Sequence, residues 1–255
     1  MNTQQQKKFK VLLIGDTCID EYQYGVVERL SPEAPVPVFK PTRIETRPGM
    51  ASNVESNLLA FGIETVMIGG DKSTKTRLID ERSNQHIVRI DNDIILEKSL
   101  PFSIIPADML AMDAIVFSDY NKGLVSYELI ENIRNNYLGP VFIDTKKTDL
   151  SRFNNCFVKI NESEYQKLKT QNNHLIVTLG NKGAMYKTIM NEKFYSSKNV
   201  DVTDVCGAGD TFLAALVYKF LNTRNIDSAI DFANKAASVT VQHLGVYAPA
   251  LEEIL

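Results

Sequence analysis

Short apolar runs alternate with longer amphipathic stretches along this chain. The first run, Lys10–Gly15, is continuously apolar after its lysine, which is typical of strands buried on both faces of a parallel sheet. Further apolar runs predict strands at residues 64–68, 113–118, 141–144, 156–160 and 175–179. Periodic apolar positions predict helices at residues 51–61, 126–136, 161–170 and 226–243. This alternation predicts right-handed crossovers and a three-layer α/β fold, in which helices cover both faces of a mostly parallel central sheet.

Two segments depart from this alternation. Residues 22–47 contain four prolines, yet Val36 and Val38 keep the alternating pattern of a strand. Because proline is tolerated in edge strands, this segment is expected to project from the core as a small β flap, or lid. Residues 84–91 alternate in the same way and are expected to pair with it. Residues 183–187 and 193–197 predict a hairpin at the edge of the main sheet.

Composition narrows the class of protein. The chain has 255 residues, of which 44% are hydrophobic and 23% are charged, as in an ordinary folded domain. A formal net charge of −3 and the lack of basic runs argue against a nucleic-acid-binding protein. No apolar run is long enough for a membrane span, and the polar start of the sequence lacks a signal-peptide pattern. Cys18, Cys156 and Cys206 are widely spaced without a metal-binding pattern, so a cytoplasmic protein is expected.

The strongest chemical signal is DVCGAGDT at residues 204–211, which lies between a segment predicted to be β-rich, residues 194–203, and an apolar helical run. Gly207, Ala208 and Gly209 let the backbone approach a ligand and place N–H groups at a helix entrance, where anions are favoured. Asp210 sets a carboxylate beside that anion site. Such a carboxylate is useful as a base that deprotonates a hydroxyl attacking a phosphate. The alternative is that Asp210 only caps the helix.

Residues 204–210 resemble the D-T-x-G-A-G-D signature of the ribokinase-like (PfkB) sugar kinases, with Val205 in place of the usual threonine. Other strings resemble one subgroup, the D-glycero-D-manno-heptose-7-phosphate kinase domain of lipopolysaccharide heptose biosynthesis. These are IGD at 14–16, RLSPEAPVPV at 29–38, RPG at 47–49, NV at 53–54, NQ at 84–85, SDY at 118–120, KG at 122–123 and ID at 143–144. The likeness extends from about residue 9 to residue 249, and SPEAPVPV is more specific than the glycine motif.

The resemblance implies a single ribokinase-like kinase domain over residues 1–255, with residues 22–47 and 84–91 in the lid. It implies an enzyme that uses ATP and Mg²⁺, in which Asp210 deprotonates the anomeric hydroxyl of heptose 7-phosphate while the Gly207, Ala208 and Gly209 amides hold the phosphoryl group. It also implies a homodimer formed through the lid. Two alternatives stay open: a kinase for another sugar or sugar phosphate, and a catalytically weak nucleotide- or sugar-binding protein. A P-loop kinase is excluded because G-x-x-x-x-G-K-[ST] is missing.

The resemblance also assigns residues to the two substrates. The acceptor residues are Asp16, Asp20, Gly49, Asn53, Arg89, Asp119 and Lys122. Carboxylates and amides suit sugar hydroxyls, and cations suit an existing phosphate, although turn and solvated surface positions are the alternatives. The nucleotide residues are Asn161, Glu164, Thr178, Gly180, Gly183, Asn234 and Lys146. Glu164 is expected to organise magnesium through water, and Asn161 with Glu164 also has the spacing of a capping box.

Two departures from the family pattern concern the acceptor. Gly49 is followed by Met50, where the family usually has a second glycine, so the floor of the sugar pocket is expected to differ. The connection from Gly70 to His86 is short and lacks a helix and a strand that typical members have. These departures make a kinase for another sugar the closest alternative.

Overall fold

The computed structural model describes residues 8–70 and 72–255. Within these ranges the strands are β1 (Lys10–Gly15), β2 (Thr17–Leu30), β3 (Pro37–Met50), β4 (Glu64–Gly69), β5 (Ser73–Asp80), β6 (Gln85–Asn92), β7 (Ala114–Asp119), β8 (Val141–Thr145), β9 (Phe157–Asn161), β10 (Leu175–Thr178), β11 (Ala184–Lys187) and β12 (Glu192–Tyr195). The α-helices are α1 (Ala51–Ala60), α2 (Tyr127–Asn136), α3 (Glu162–Tyr165), α4 (Ala208–Thr223), α5 (Ile226–Thr240) and α6 (Leu251–Ile254). In the part of the chain so described, no helix has the length and apolar character that crossing a membrane requires.

The main sheet has the strand order β12-β11-β10-β9-β8-β7-β1-β4. The six strands from β10 to β4 run parallel. The last two strands form an antiparallel hairpin at one edge, as predicted. Helices α1, α4 and α5 pack on one face of this sheet and α2 packs on the other. The predicted three-layer fold with a mostly parallel sheet is therefore confirmed.

Strand β1 shows why both faces of the sheet are covered. Its side chains alternate between the two hydrophobic cores, and each of the four central ones is fully buried. Val11 and Leu13 belong to the core with α1, α4 and α5, whereas Leu12 and Ile14 belong to the core with α2. Burial of each such side chain stabilises the fold by roughly 1.5–3 kcal/mol.

The second sheet is the lid, with strand order β3-β2-β5-β6. β2 and β3 form a long hairpin, β5 runs parallel to β2, and β6 runs antiparallel to β5. β3 is an edge strand and therefore accommodates Pro37, Pro41 and Pro48. The lid is larger than predicted, since its hairpin extends beyond residues 22–47 on both sides. Residues 84–91 were expected to pair with that hairpin, but they pair with β5 instead.

Strand β5 lies inside the short connection between Gly70 and His86, where the sequence predicts no element. Its sequence, STKTRLID, is mostly polar and has no continuous apolar run. Alternate residues from Ser73 to Ile79 nevertheless lie on the face of the lid that is turned towards the core. Of these, Ser73, Arg77 and Ile79 are buried. A lid strand needs only one face of this kind, which explains why hydrophobic patterning misses it.

Two elements are shorter than predicted. The helix expected at residues 161–170 ends at Tyr165, because the amides of residues 169 and 170 bond to the carbonyl of Thr148 instead of continuing the helix. The segment expected to be β-rich, residues 194–203, is a strand only to Tyr195, where β12 loses its partner. The loop after it is free to line a cavity.

The carboxyl ends of the parallel strands meet at one edge of the main sheet, which is the edge where open α/β sheets bind ligands. Asp16 follows β1, Asp119 ends β7, Asn161 ends β9 and Thr178 ends β10. Asp210, in the first turn of α4, bonds to residues at this edge. The fold therefore gathers predicted residues from distant parts of the sequence.

Candidate active site

The turn at residues 204–211 leads directly into α4. Gly207 is the N-cap residue with φ of 76°, a left-handed conformation that glycine adopts readily. A Cβ at this position would lie 2.8 Å from Asn53 Nδ2, so a side chain would not fit. The Ala208 amide makes a long 3.4 Å bond within the turn. The amides of Gly209 and Asp210 lie in the first helical turn and have no helical acceptor, which makes them available to an anion.

Asp210 is buried, with 5% of its surface exposed. Tyr120 Oη donates to Asp210 Oδ1 at 2.8 Å, and Asn53 Nδ2 donates to Oδ2 at 2.9 Å. Burial raises the pKa of Asp210 to about 6 and the Asp144 carboxylate adds to the rise, whereas these two hydrogen bonds and the Lys159 ammonium oppose it. A carboxylate with this pKa is ionised at neutral pH and is a stronger base than an ordinary aspartate.

A second asparagine fixes the orientation of Asn53. Asn57, one turn further along α1, donates from Nδ2 to the main-chain oxygen of Asn53 at 2.8 Å and to Asn53 Oδ1 at 3.3 Å. Because Asn53 Oδ1 accepts this bond, its amide nitrogen points to Asp210. Asn57 is fully buried, and its own Oδ1 has no hydrogen-bond partner in the described part of the chain. Sequence reasoning missed it, although a polar residue on the buried face of α1, four positions after Asn53, is a detectable signal.

Lys159 is a further residue that sequence reasoning missed. Its ammonium is buried and lies 2.7 Å from Asp144 Oδ2. A Cβ on Gly209 would lie 2.9 Å from Lys159 Nζ, so the ammonium faces the amides at the entrance of α4. Burial favours the neutral amine, but Asp144 and Asp210 outweigh it, and the pKa of Lys159 lies above its usual value. The site therefore has a fixed positive charge beside the anion-binding turn.

Two adjoining cavities open at this turn. The larger, of about 550 Å³, is lined mainly by polar and charged residues: Asp119, Tyr120, Asp144, Lys146, Lys159, Asn161, Glu162, Ser163, Glu164, Thr178, Gly180, Val205, Gly207, Gly209 and Asp210. The smaller, of about 200 Å³, is more apolar, and its lining includes Thr178, Gly180, Gly183, Val205, Ala208, Gly209, Phe212, Asn234, Ala237 and Val241. A polar space beside an apolar one matches the phosphates and the base of a nucleotide.

All seven predicted nucleotide residues line these cavities. Lys146, Asn161 and Glu164 line the larger one, Gly183 and Asn234 line the smaller one, and Thr178 and Gly180 line both. Two of them also stabilise the local structure. Asn234 Nδ2 donates to the carbonyl of Tyr195 at 3.2 Å, and Gly183 has φ of 97°, where a Cβ would lie 2.0 Å from the same carbonyl oxygen.

Asn161 and Glu164 form the capping box of α3. Asn161 Oδ1 accepts from the Glu164 amide at 2.9 Å, and Glu164 Oε2 accepts from the Asn161 amide at 2.8 Å. Glu164 still borders the larger cavity. Within the described residues, no group of three or more His, Cys, Asp or Glu side chains is placed to bind a metal. Magnesium fits this setting because it keeps several waters and needs only one or two carboxylates together with phosphate oxygens.

The predicted acceptor residues fall into three groups. Asp16 and Asn53 surround the base: Asp16 Oδ2 accepts from the amides of Tyr120 at 2.8 Å and Lys122 at 3.2 Å. Burial raises the pKa of Asp16, and bonds from these amides oppose the rise. Its position at the end of β1, beside the loop that holds Asp210, suits a contact with an acceptor hydroxyl.

Asp20 and Gly49 lie on β2 and β3 of the lid. Asp20 forms a buried ion pair with Arg77 of β5. A Cβ on Gly49 would lie 2.2 Å from Asp20 Oδ2 and 2.5 Å from Cys18 Sγ, so this glycine makes room for the Asp20 carboxylate. No local pattern in the sequence marks Arg77 as the partner of a residue on another strand, so its role could not be predicted.

Three further predicted acceptor residues are already paired with neighbours. Asp119 is buried and accepts from Lys147 Nζ at 2.8 Å. Lys122 pairs with Asp93. Arg89 is exposed and pairs with Asp91 at 2.8 Å. Their direct contact with an acceptor stays a prediction.

Lys75 is a cation of the lid that lies beside Tyr120. Lys75 of β5 forms no ion pair within the described residues, and its ammonium lies 5.3 Å from the centre of the Tyr120 ring. Lys146 Nζ lies 4.9 Å from the centre of the same ring. Arg47, by contrast, is held by Glu45 at 3.5 Å and by two backbone carbonyls. Lys75 is therefore a positive charge close to the base that is available to a ligand.

Comparisons with known proteins agree with this geometry. A sequence model described as pfkB family carbohydrate kinase matches residues 50–254. The chain is 32% identical to the bifunctional protein HldE of Nitratiruptor sp., in an alignment that covers 97% of the chain and 64% of that protein. It is 29% identical to HldE of Helicobacter acinonychis, covering 96% of the chain and 65% of that protein. The chain thus spans less than two thirds of the length of these relatives.

Solved structures show the same fold at low sequence identity. Ribokinase from Thermotoga maritima superposes with a TM-score of 0.71 at 16% identity, covering 96% of the chain and 98% of the ribokinase. Arabidopsis thaliana ribokinase complexed with ribose and ATP gives 0.71 at 14% identity, covering 97% and 98%. Escherichia coli phosphofructokinase-2 gives 0.72 at 15% identity, covering 97% and 96%. The fold is therefore ribokinase-like.

Proposed function

The chain belongs to the PfkB family of carbohydrate kinases, and we propose that this ATP-dependent sugar kinase phosphorylates the anomeric hydroxyl of D-glycero-D-manno-heptose 7-phosphate, giving the 1,7-bisphosphate. One observation carries the proposal. The buried Asp210, whose pKa burial raises to about 6, lines the polar cavity together with Lys159, and it accepts a hydrogen bond from Tyr120, whose ring lies beside the Lys75 ammonium. The identity to HldE proteins over nearly the whole chain supports the choice of acceptor.

The chemistry follows from the positions of these groups. Asp210 takes the proton of the acceptor hydroxyl as its oxygen bonds to the γ-phosphorus of ATP. The bond from that phosphorus to the bridging oxygen of ADP breaks, and the electron pair leaves with ADP. The amides of Gly209 and Asp210 and the ammonium of Lys159 stabilise the charge on the moving phosphoryl group. Magnesium, held by Glu164 through water, would neutralise the remaining phosphate charge.

The charges of the lid favour an acceptor that already carries a phosphate. Arg47, Arg77 and Arg89 are each paired with a carboxylate of the lid, whereas Lys75 has no such partner among the residues that the structure describes. An anion bound near Lys75 would complete the charge balance under the lid, and a dianionic phosphate makes charge-assisted bonds with ammonium groups. In this proposal Lys75, with Arg89 and Lys122 at the same side of the site, selects a sugar phosphate over a neutral sugar.

A panel of acceptors in an ADP-release assay tests the function. We expect turnover of heptose 7-phosphate well above that of heptose, ribose or fructose 6-phosphate. Asp210→Asn is expected to abolish most turnover while ATP binding, measured by calorimetry, changes little. A fructose phosphate or neutral sugar as best substrate would reassign the acceptor, and undiminished turnover by Asp210→Asn would remove its role as base.

A lysine substitution tests the selection of a phosphate. Lys75→Gln loses a charged bond worth about 1.5–3 kcal/mol, so KM for the sugar phosphate is expected to rise roughly 10- to 100-fold. The matched control is Lys72→Gln, since Lys72 is exposed before the same strand. Equal KM values for the two variants would contradict the assignment of Lys75.

We also propose that two copies associate through their lids, in the cytoplasm, and that the sheet and lid act as one kinase domain. Ile44, Val88 and Ile90 are 45–58% exposed and, by strand register, lie on the face of the lid opposite to Tyr22 and Arg77. Packing of these apolar residues against a second lid would remove them from water. Light scattering should give twice the monomer mass, and Val88→Glu should give a monomer. A monomeric parent protein would refute the association.

A further inference from the structure

Tyr120 is bonded to two of the functional carboxylates. Its main-chain N–H donates to Asp16 Oδ2 at 2.8 Å, and its hydroxyl donates to Asp210 Oδ1 at 2.8 Å. Asp16 follows β1 and Asp210 lies on α4, so a single residue after β7 connects two elements that are remote in sequence. The family resemblance assigns a role to its neighbour Asp119, whose carboxylate is already paired with Lys147, and none to Tyr120.

Resting on the proposed function, we propose that Tyr120 is a positioning residue, which joins the acceptor-binding Asp16 to the base Asp210 and holds the Asp210 carboxylate in the direction of the acceptor hydroxyl. A carboxylate has about four lone-pair sites. Oδ1 of Asp210 can therefore keep the bond from Tyr120 while it receives the acceptor proton. Without the tyrosine hydroxyl, Asn53 would be the one remaining hydrogen-bond donor to the carboxylate among the described side chains.

The ring of Tyr120 is itself held in place. Lys75 of the lid and Lys146 after β8 lie 5.3 and 4.9 Å from its centre, which is within the range of cation–π attraction. These contacts depend on the ring and not on the hydroxyl. Phenylalanine keeps the ring, and it also keeps the main-chain bond to Asp16. Tyr120→Phe therefore removes one hydrogen bond with little other change.

The charged environment of Asp210 determines the direction of the effect. Asp144 of β8 raises its pKa, Lys159 of β9 lowers it, and the hydrogen bond from Tyr120 lowers it. Cys18 of β2 also faces Asp210, and burial raises the pKa of this thiol to about 12, so it stays neutral. The pKa of Tyr120 lies well above its usual value because of burial and the nearby Asp210. Tyr120 therefore remains a neutral donor throughout the working pH range.

The first test is the pH profile of turnover. A hydrogen bond to a charged group contributes about 1.5–3 kcal/mol, so in Tyr120→Phe the acid limb of kcat is expected to move up by about one to two pH units. At pH 7, kcat should fall by roughly 2- to 10-fold, because that shift lowers the ionised fraction of Asp210 from about nine tenths to between about one half and one tenth. KM for the acceptor should change less than about threefold, because the amide that holds Asp16 is unaltered. An acid limb at the position of the parent protein would overturn the proposal.

Tyr137→Phe is the matched control. Tyr137 is also buried, and its hydroxyl donates to the carbonyl of Met112 at 2.9 Å in the core on the other face of the sheet. We expect this variant to lose stability while its acid limb stays in place. A shift of the acid limb as large as that of Tyr120→Phe would show that loss of any buried tyrosine bond has this effect, and would overturn the proposal.

A second measurement does not require turnover. The carboxyl carbon of Asp210 is followed by NMR in the free protein, with its signal identified by its loss in Asp210→Asn. Tyr120→Phe is expected to raise the titration midpoint by about one to two pH units. If heptose 7-phosphate is not turned over but this midpoint moves, the proposed substrate fails while the role of Tyr120 stands. An unmoved midpoint overturns the role of Tyr120 whatever the substrate is.

Discussion

Met50 offers a direct test of the backbone at the floor of the acceptor pocket. It is the N-cap residue of α1, with φ of 55° and ψ of −130°, and its side chain is only 3% exposed. A residue with a Cβ is strained in this sparsely populated region, at a cost on the order of 1–3 kcal/mol. Glycine avoids that cost, and alanine does not.

The expected free energies of unfolding follow from these terms. Met50→Ala removes a buried side chain and retains the strain, so it should lower stability by about 2–5 kcal/mol. Met50→Gly loses one more methyl group, worth about 0.8 kcal/mol, and roughly 0.5–1 kcal/mol of backbone entropy. Relief of the strain offsets both losses. Met50→Gly should therefore be as stable as Met50→Ala or more stable.

Urea denaturation of the variants, followed by circular dichroism, measures this difference. The control is Ala51→Gly, because Ala51 is the next residue, is fully buried and begins α1. This control should lose about 1–2 kcal/mol relative to the parent protein by the same methyl and entropy terms. If Met50→Gly falls below Met50→Ala by that same amount, the strain argument is refuted.

Three other predictions concern the site and its surroundings. Burial raises the pKa of Asp210 above its unfolded value of 3.8 to about 6, so its ionisation destabilises the folded state progressively as pH rises from about 4 to 6. The Tm of Asp210→Asn relative to the parent should therefore increase over that range and then level off. A constant difference in Tm would contradict the raised pKa. Arg77→Met leaves Asp20 buried without its partner and should lower the free energy of unfolding in denaturant by about 3–5 kcal/mol. Adding Asp20→Asn should restore part of this loss in the double variant. If the losses of the two single variants simply add up in the double variant, the two residues do not interact. Gly183→Ala should weaken ATP binding in calorimetry and destabilise the hairpin, because its Cβ would lie 2.0 Å from a backbone oxygen. Gly180→Ala, with nothing within 4 Å of its Cβ, should have much smaller effects on both. Equal effects of the two substitutions would show that the close contact is not the cause.

Local patterns in the sequence determined much of this protein. The apolar run of β1, the hairpin at the sheet edge and the capping box of Asn161 each depend on neighbouring residues, so their spacing was enough to predict them. The glycine turn before α4 is also local, since a left-handed residue and free first-turn amides need only the right residues in order. Strand β5 was missed because its sequence is mostly polar and contains no continuous apolar run.

Only the tertiary structure decided which side chains act together. Tyr120 and Asn53 lie 90 and 157 residues from Asp210 in sequence, yet each bonds to it. Lys159 meets Asp144 because parallel strands place their carboxyl ends side by side, and Arg77 meets Asp20 across the lid. The pKa of Asp210 depends on these long-range neighbours and on its burial, because desolvation and charge act through space and not along the chain.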